Sequence, residues 1–326
     1  MVPNLPPMQF WTTVPGILRW PPPGPDGDWR TALGPEDFRT VVRAAEDLGF
    51  DTVTFSDHVL IPRTSVASMG GHWPDPLTAM AFVVGTTERI RVDTSVLVLP
   101  LHEPVALAKA VATLDVLSGG RVSLTVGLGA LKGEFAALGV PFAERGRRAD
   151  EHLLVMKELW TSDAPSFDGE FTSFTDVVFE PRPVQRPHPP VFVGGRSIHA
   201  LRRAARLGDG WAPAGATGGT GPWLDGVDDL PRFLDEARRI EGFAEKEHRF
   251  GIHMTPAPVN LGADHRPIGG SVRFSSTAEV VDAIGVLRDA GVTGTMVPPV
   301  GDEPASLGAH LEHLAWASEE VLPHFR

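Results

Sequence analysis

The 326-residue sequence has no cysteine and no tyrosine. The lack of cysteine excludes disulfides, thiolate-bound metals, iron–sulfur clusters and cysteine nucleophiles, and the lack of tyrosine leaves no phenol to serve as a general acid. Basic residues are outnumbered, 29 against 41 acidic ones, which gives a formal charge of −12. Because that charge repels phosphate backbones, we expect no nucleic-acid partner.

The sequence also has no run approaching the roughly 20 apolar residues of a membrane helix. Residues 1–7 carry neither the basic region nor the apolar stretch of a signal peptide. We therefore expect a cytoplasmic protein that does not contact membranes. Hydrophobic residues make up 42% of the chain and charged residues 21%, which is typical of a soluble globular enzyme.

Strand-like and helix-like patterns alternate along the chain. The predicted strands cover residues 8–14, 51–56, 90–99, 121–126, 191–193, 210–213, 250–261 and 293–297. Such alternation requires parallel strands joined by crossover helices. Eight units in this length predict an α/β fold, a (β/α)8 TIM barrel with insertions in its βα loops, forming one domain over residues 1–326. A doubly wound open sheet is the main alternative.

The alternating helices include one over 230–246 and a final one over 307–325, and a small hairpin is predicted at 166–174. Two glycine-bearing loops that follow strands, 58–75 and 215–222, are longer than ordinary β/α connections. We expect these two loops to form a mobile rim over a pocket.

Asp57 and His58 follow the end of the second predicted strand. In a β/α barrel the carboxyl ends of the strands line the active-site mouth, so a titratable pair is well placed there. A neutral histidine donates or accepts a proton near pH 7, which makes these two residues our candidate catalytic groups. The structural alternative is that Asp57 caps a turn and His58 is merely packed.

Gly127 and Gly129 begin the run GLGALKG between a predicted strand and a predicted helix. The run superficially resembles a dinucleotide-binding fingerprint, but its spacing is wrong by one residue. No strand ending in an acidic residue follows about 20 residues later. We interpret the run as a tight strand-to-helix turn that still faces the mouth, which keeps both glycines among the candidate cofactor contacts.

The turn Gly194-Gly195-Arg196-Ser197 also follows a strand and opens a helix. Two glycines let the backbone approach a ligand closely, the helix start offers unpaired N–H groups, and Ser197 adds a hydroxyl. These features are typical of a phosphate cradle. An ordinary capped turn explains the same residues equally well.

Other chemistries lack support in the sequence. His310 and His313 lie three residues apart in the last predicted helix, but neither an acidic third ligand nor an HExxH pattern accompanies them. We expect a solvated helix face there and no metal site. There is also no GxSxG elbow and no GxxxxGK[ST] loop.

Five segments, spread over most of the chain, form a recognisable set: AAEDLGFD at 44–51, SDH at 56–58, TSVLVLP at 94–100, TLDVLSGGR at 113–121 and RLGDGW at 206–211. Together they resemble the luciferase-like monooxygenases. The chain is most similar to the actinobacterial subgroup that uses the deazaflavin coenzyme F-420. The resemblance implies a barrel that holds a flavin-type ring inside its mouth.

The resemblance also implies where the ring would lie. It maps a cis, non-proline peptide of the family onto Ser95–Val96, next to Thr94, where a bulge would back the central ring. It places Asp57 and His58 beside that ring, with His58 as the candidate acid or base.

The same resemblance places the cofactor phosphate on Gly194 and Gly195. Coenzyme F-420 continues beyond this phosphate into a chain of glutamates, which favours further basic groups near the cradle. Four arginines follow within eleven residues: Arg196, Arg202, Arg203 and Arg206. Because helical spacing keeps them from reaching one ligand together, we expect Arg196 to matter most.

The chain departs from the family's sugar-phosphate dehydrogenases in the GLGALKG turn. Ala130 stands where those enzymes have a catalytic glutamate, and Gly133 where they have an asparagine. We therefore do not expect glucose-6-phosphate oxidation by that mechanism. We expect instead a pocket that is opened at both positions.

Three functions remain open from the sequence. The first is an F-420-dependent oxidoreductase that transfers hydride to or from a small organic substrate. The second is a monooxygenase that uses reduced FMN and oxygen, and the third is a non-catalytic flavin-binding paralogue. The expected partners are a small-molecule substrate, a second copy in a homodimer, and a separate flavin or deazaflavin reductase.

Overall fold

The computed structural model describes residues 7–14, 29–213, 224, 226–256 and 273–326. The predicted loop at 215–222 therefore lies outside the described residues. The strands are β1 Gln9–Thr13, β2 Thr52–Phe55, β3 Arg91–Val98, β4 Leu124–Gly127, β5 Phe167–Asp168, β6 Ser173–Phe174, β7 Val191–Gly194, β8 Gly210–Ala212, β9 Gly251–Ile252 and β10 Gly294–Met296.

Eight of these strands form one parallel sheet, in the order β10-β1-β2-β3-β4-β7-β8-β9. The two end strands meet, because Thr293 N–H donates to the Ile252 carbonyl at 2.8 Å and Met254 N–H donates to the Gly294 carbonyl at 3.1 Å. The sheet is therefore a closed barrel, and the predicted (β/α)8 architecture is confirmed over the open sheet.

The helices lie between the strands in sequence: α1 Pro35–Asp47, α2 Val66–Met69, α3 Pro76–Val84, α4 Pro104–Ser118, α5 Lys132–Ala137, α6 Arg145–Thr161, α7 Ile198–Leu207, α8 Leu230–Arg238, α9 Phe243–Lys246, α10 Thr277–Asp289 and α11 Leu307–Glu320. The two ends of α4 show how the local sequence determines where a helix begins and ends. Its first residue is Pro104, and the Glu103 carboxylate accepts from the N–H groups of Val105 and Ala106. It ends where Gly119 takes a φ of 65°.

Three predicted elements differ from the structure. The helix over 230–246 is divided into α8 and α9, and Gly242 between them has a φ of 77°, which a helix does not allow. The final helix ends at Glu320 and is followed by a 3-10 turn, Leu322–His324. β9 is only two residues long, and the end of the predicted strand over 250–261 lies outside the described residues. The predicted hairpin is present as β5 and β6.

Aromatic side chains fill the interior of the barrel. The Phe192 and His253 rings stack with centroids 4.0 Å apart, and Trp11 lies 5.1 Å from His253. Space for them comes from strand glycines: a Cβ on Gly251 would lie 2.6 Å from Phe192, and one on Gly294 would lie 2.8 Å from His253. This packing leaves the ends of the barrel as the places where a ligand would bind.

The N-terminal end of the barrel is held by two charged side chains, the buried Asp115 and the half-buried Arg121. The fully buried Asp115 carboxylate accepts from both the backbone N–H and the side-chain amide of Gln185, at 3.0 and 2.7 Å. The Arg121 guanidinium donates to the carbonyls of four residues, Val84, Thr87, Ile90 and Ser118. Both charges lie in the TLDVLSGGR motif, whose role here is therefore structural. In the described part of the chain no helix is long and apolar enough to cross a membrane.

Candidate active site

The candidate residues gather at the carboxyl ends of four neighbouring strands. Asp57 and His58 follow β2, residues 94–96 lie in β3, Gly127 ends β4 and Gly194 ends β7. Carboxyl ends of parallel strands share one face of a barrel. The structure therefore brings these candidates together at one mouth.

The predicted cis peptide at Ser95–Val96 is present. The pairing of β3 with β4 shifts register between Ser95 and Leu97, which makes a bulge at this point. The Ser95 carbonyl accepts from the Ser56 hydroxyl at 2.7 Å, and the Thr94 hydroxyl donates to the Thr125 carbonyl at 2.9 Å. Both neighbouring strands therefore hold this segment of β3.

The glycines around the bulge make room for the side chains of β3. A Cβ on Gly127 would lie 2.6 Å from a methyl carbon of Val96, and one on Gly194 would lie 2.8 Å from the other. Gly129 has a φ of 72°, and its Cβ would lie 2.5 Å from Val98. Valine packing alone therefore requires glycine at these three positions, before any ligand is considered.

The turn before α7 has the features of an anion cradle. Gly195 has a φ of 115°, a conformation that other residues rarely adopt, and a Cβ there would press on Ala200. Ser197 caps α7 by accepting from the Ala200 N–H at 3.2 Å. A tight glycine turn that leads into a capped helix start fits a phosphate.

The four arginines of this segment are engaged with the protein. The Arg196 side chain is buried, and its Nε donates to the Leu224 carbonyl at 2.8 Å. Arg202 pairs with Glu236 of α8 at 3.5 Å. Arg203 and Arg206 both pair with Asp150 of α6. The guanidinium of Arg196 thus binds the backbone of residue 224, while the other three link α7 to its neighbouring helices.

Asp57 is the buried carboxylate of a carboxylate–imidazole pair. One of its oxygens accepts from the Val98 N–H at 2.8 Å and lies 2.6 Å from His102 Nε2. His102 comes directly after the 3-10 turn Leu99–Leu101 that follows β3. His102 is not among the residues predicted from the sequence, although its position just past a strand end is the signal that identified Asp57.

His58 belongs to a second such pair. Its Nδ1 lies 3.1 Å from the Glu134 carboxylate, which is fully buried at the start of α5. Trp73 packs against the His58 ring edge-on, with centroids 4.8 Å apart. Because a carboxylate only accepts, Nδ1 carries the proton and the neutral ring keeps a free electron pair on Nε2. That arrangement suits proton transfer at Nε2.

The GLGALKG turn is less open than its sequence predicts. A Cβ on Gly133 would lie 2.8 Å from Cγ of Pro62. The loop over residues 58–75, here called the rim loop, therefore occupies the space that a larger residue would take. The expectation of an opened pocket is therefore wrong at this position. Ala130 is exposed.

The last helix does not present a solvated histidine face, so that expectation is wrong. His310 is buried, and burial lowers its pKa to about 4. His313 Nε2 lies 3.2 Å from the Val297 carbonyl. Among the residues with described positions, no group of three histidine or carboxylate side chains is arranged to bind a metal ion.

Comparisons with known proteins agree on one family. The profile of the luciferase-like monooxygenase family matches residues 20–227. F420-dependent glucose-6-phosphate dehydrogenase of Amycolatopsis mediterranei is 32% identical, covering 90% of this chain and 96% of that protein. FMNH(2)-dependent dimethylsulfone monooxygenase of Pseudomonas putida is 38% identical, covering 67% of this chain and 58% of that protein.

Solved structures share the fold. Monooxygenase RslO1 from Streptomyces bottropensis superposes with a TM-score of 0.75 at 22% identity, over 98% of this chain and 100% of that chain. An F420-dependent secondary alcohol dehydrogenase, solved with an F420–acetone adduct, superposes with a TM-score of 0.69 at 16% identity, over the same shares of the two chains. At these identities the likeness concerns the barrel alone.

Proposed function

Since the chain belongs to the luciferase-like monooxygenase family, whose characterised members are flavin- or F-420-dependent oxidoreductases, we propose that it transfers hydride between coenzyme F-420 and a small organic substrate. The choice of cofactor rests on how much of each relative's length aligns with this chain. The relative named for F420 aligns over nearly its whole length, whereas the relative named for FMN aligns over 58% of its own. The proposed unit is a single cytoplasmic domain over residues 1–326, paired as a homodimer.

The assigned roles follow from the contacts at the mouth. Thr94, Ser95 and Val96 form the bulge against which the cofactor ring would lie. The start of α7 would bind the phosphate through backbone N–H groups, next to Gly195, which has no side chain to block the site and whose own N–H donates to the Ala212 carbonyl at 3.0 Å. Gly127 and Gly129 support the floor through their contacts with Val96 and Val98.

His58 is the proposed acid or base. When bound, the deazaflavin supplies hydride chemistry at its ring, and the protein must supply the accompanying proton. Nε2 of His58 is suited to that step because Nδ1 is held by Glu134. Asp57 contributes by holding His102 and the end of β3 in place. With Ala130 in place of a glutamate, we do not assign glucose 6-phosphate as the substrate.

The second candidate is an FMN-dependent monooxygenase supplied by a separate reductase. The observation in its favour is the 38% identity to the dimethylsulfone monooxygenase. A phosphate cradle and a ring-backing bulge suit FMN as well as F-420. The two cofactors differ beyond the phosphate, where F-420 alone carries a glutamate tail.

Titration of the purified protein with each cofactor at low and high salt tests this choice. We expect tighter binding of F-420 than of FMN at low salt, and a smaller difference at high salt because exposed charges are screened. Tighter binding of FMN at low salt would put the monooxygenase first. Turnover of a panel of electrophilic alkenes with reduced F-420 then tests catalysis, since a non-catalytic paralogue would bind the cofactor and convert none of them.

A further inference from the structure

We propose that Glu134 is a positioning residue, which fixes the tautomer of His58 and fastens the start of the rim loop to α5. The catalytic consequence of this assignment rests on the proposed role of His58. The tautomer and the loop contact do not depend on that role, and they are measurable without any cofactor.

Three donors converge on the Glu134 carboxylate. Its Oε2 lies 3.1 Å from His58 Nδ1, and its Oε1 accepts from the N–H groups of Val59 at 2.8 Å and Leu60 at 3.4 Å. Glu134 is fully buried. A buried carboxylate is costly unless donors surround it, so the loop's N–H groups and the imidazole together stabilise its charge. The contacts join residues 76 positions apart in the chain.

The direction of the hydrogen bond determines the imidazole tautomer. An ionised carboxylate has no proton to give, so Nδ1 of His58 is the donor and Nε2 is unprotonated in the neutral ring. The other neighbours do not compete for Nδ1. Asp57 is adjacent in sequence but faces Val98 and His102, and Trp73 is uncharged. Glu134 is thus the charged group in contact with the ring among the described residues.

A second carboxylate in the same protein provides a matched comparison. Glu151 of α6 accepts from three consecutive backbone N–H groups, those of Glu170, Phe171 and Thr172, at 2.7 to 2.8 Å. It fastens the β5–β6 hairpin much as Glu134 fastens the rim loop. No imidazole is among its partners in the hydrogen bonds of the described residues. Glu151→Gln therefore weakens an equivalent clamp without touching His58.

Glu134→Gln keeps the size of the side chain but introduces an amide that can donate to Nδ1. The proton of the neutral ring then moves to Nε2, and the ring can no longer accept a proton there. We expect kcat about 100-fold lower with KM nearly unchanged. We also expect the acidic limb of the pH profile, which reports protonation of His58 as the base, to be lost. Glu134→Asp retains an acceptor and should preserve the tautomer.

The decisive measurement is ¹⁵N NMR of the histidine rings in the cofactor-free protein. We expect the Nδ1–H tautomer for His58 in the unmodified chain and in Glu151→Gln, and the Nε2–H tautomer in Glu134→Gln. An Nε2–H tautomer in the unmodified chain would overturn the proposal even if Glu134→Gln failed to fold. The correct tautomer without any F-420 turnover would instead count against the proposed function and leave this assignment standing.

Discussion

The two ends of the barrel use charged side chains in opposite ways. At the N-terminal end, Asp115 and Arg121 direct their polar atoms into carbonyl and N–H groups of neighbouring segments. At the mouth, His58 and His102 each bind a carboxylate through one ring nitrogen. Their other ring nitrogens have no hydrogen-bond partner in the part of the chain that the structure describes. Saturated contacts stabilise a fold, whereas a held ring with one free nitrogen is suited to chemistry.

This difference shows which end of the barrel the family motifs stabilise. The TLDVLSGGR segment contributes Asp115 and Arg121 to the N-terminal end, and Glu46 of the AAEDLGFD segment accepts from the backbone N–H groups of Arg89 and Ile90. These residues join loops beneath the barrel. The motifs therefore identify the fold well and bear little on the substrate, whose proposed site is the mouth.

The largest effect should follow from His58→Ala. Removing the proposed acid or base should lower kcat about 1000-fold, which corresponds to about 4 kcal/mol of transition-state stabilisation. The melting temperature should fall only modestly, since the buried Glu134 carboxylate loses one of its three donors but keeps the N–H groups of Val59 and Leu60. Turnover with the best substrate of the panel measures the first effect, and thermal melting measures the second.

His248→Ala, at an exposed histidine away from the mouth, is the control and should behave as the unmodified protein. An unchanged kcat and pH profile in His58→Ala would show that His58 is scaffolding. The charged side chains at the mouth would then be structural, as those at the N-terminal end are.

Arg121→Met should produce the opposite pattern. The substitution leaves carbonyls of Val84, Thr87 and Ile90 without their donor, so we expect the free energy of unfolding to fall by about 3 kcal/mol. Cofactor affinity of the folded protein should be unchanged. Urea denaturation and cofactor titration measure the two quantities, with Arg239→Met as an exposed control. Weaker cofactor binding at unchanged stability would contradict a purely structural role.

The barrel could be predicted from the sequence because its evidence is local. Strand runs and helical spacing repeat eight times, and parallel alternation leaves few architectures. The position of Asp57 and His58 at the mouth follows from the same argument, since every strand end of a barrel lies on that face. The cis bond at Ser95–Val96 came from family resemblance, and no periodicity indicates it.

The partners of the two histidines could not be predicted in the same way. Glu134 lies 76 residues from His58, and His102 lies 45 residues from Asp57, so only tertiary packing brings each pair together. The contact of Pro62 with Gly133 is of the same kind. A glycine within one turn predicts open space only when the neighbouring loop is ignored, and here Pro62 of that loop fills the space beside Gly133.

Asp93 lies within β3, between the two ends, and combines features of both. One of its oxygens accepts from the Thr125 hydroxyl at 2.7 Å, and the other has no partner among the described residues. Burial raises its pKa from 3.8 to about 6. Below pH 4 the carboxyl is neutral in both states. Between pH 4 and 6 the folded protein binds more protons than the unfolded chain, so this group's contribution to stability falls as pH rises.

The free energy of unfolding of Asp93→Asn, relative to that of the unmodified protein, should therefore increase as pH rises from 4 to 7, by on the order of 2 kcal/mol. Urea midpoints of both proteins at pH 4.5, 6 and 8 measure the difference, and the buried histidines cancel because the two chains share them. A difference in urea midpoint that does not change with pH would show that the Asp93 carboxylate is hydrogen-bonded as fully as the charged groups at the N-terminal end.

The smallest effects should come from the outer arginines of α7. Arg202 and Arg206 are exposed, and their ion pairs with Glu236 and Asp150 span 3.5 and 3.8 Å, so each contributes little in water. We expect the double variant Arg202→Gln, Arg206→Gln to change the free energy of unfolding by less than about 0.5 kcal/mol. F-420 affinity at low salt should change less than about 2-fold, because both guanidinium groups already face carboxylates.

Gly195→Ala, just before the same helix, should weaken binding far more, since its side chain would enter the cradle. A salt-sensitive loss of F-420 binding in the double variant, with FMN binding unchanged, would show that the glutamate tail reaches these arginines and that the mouth extends along α7.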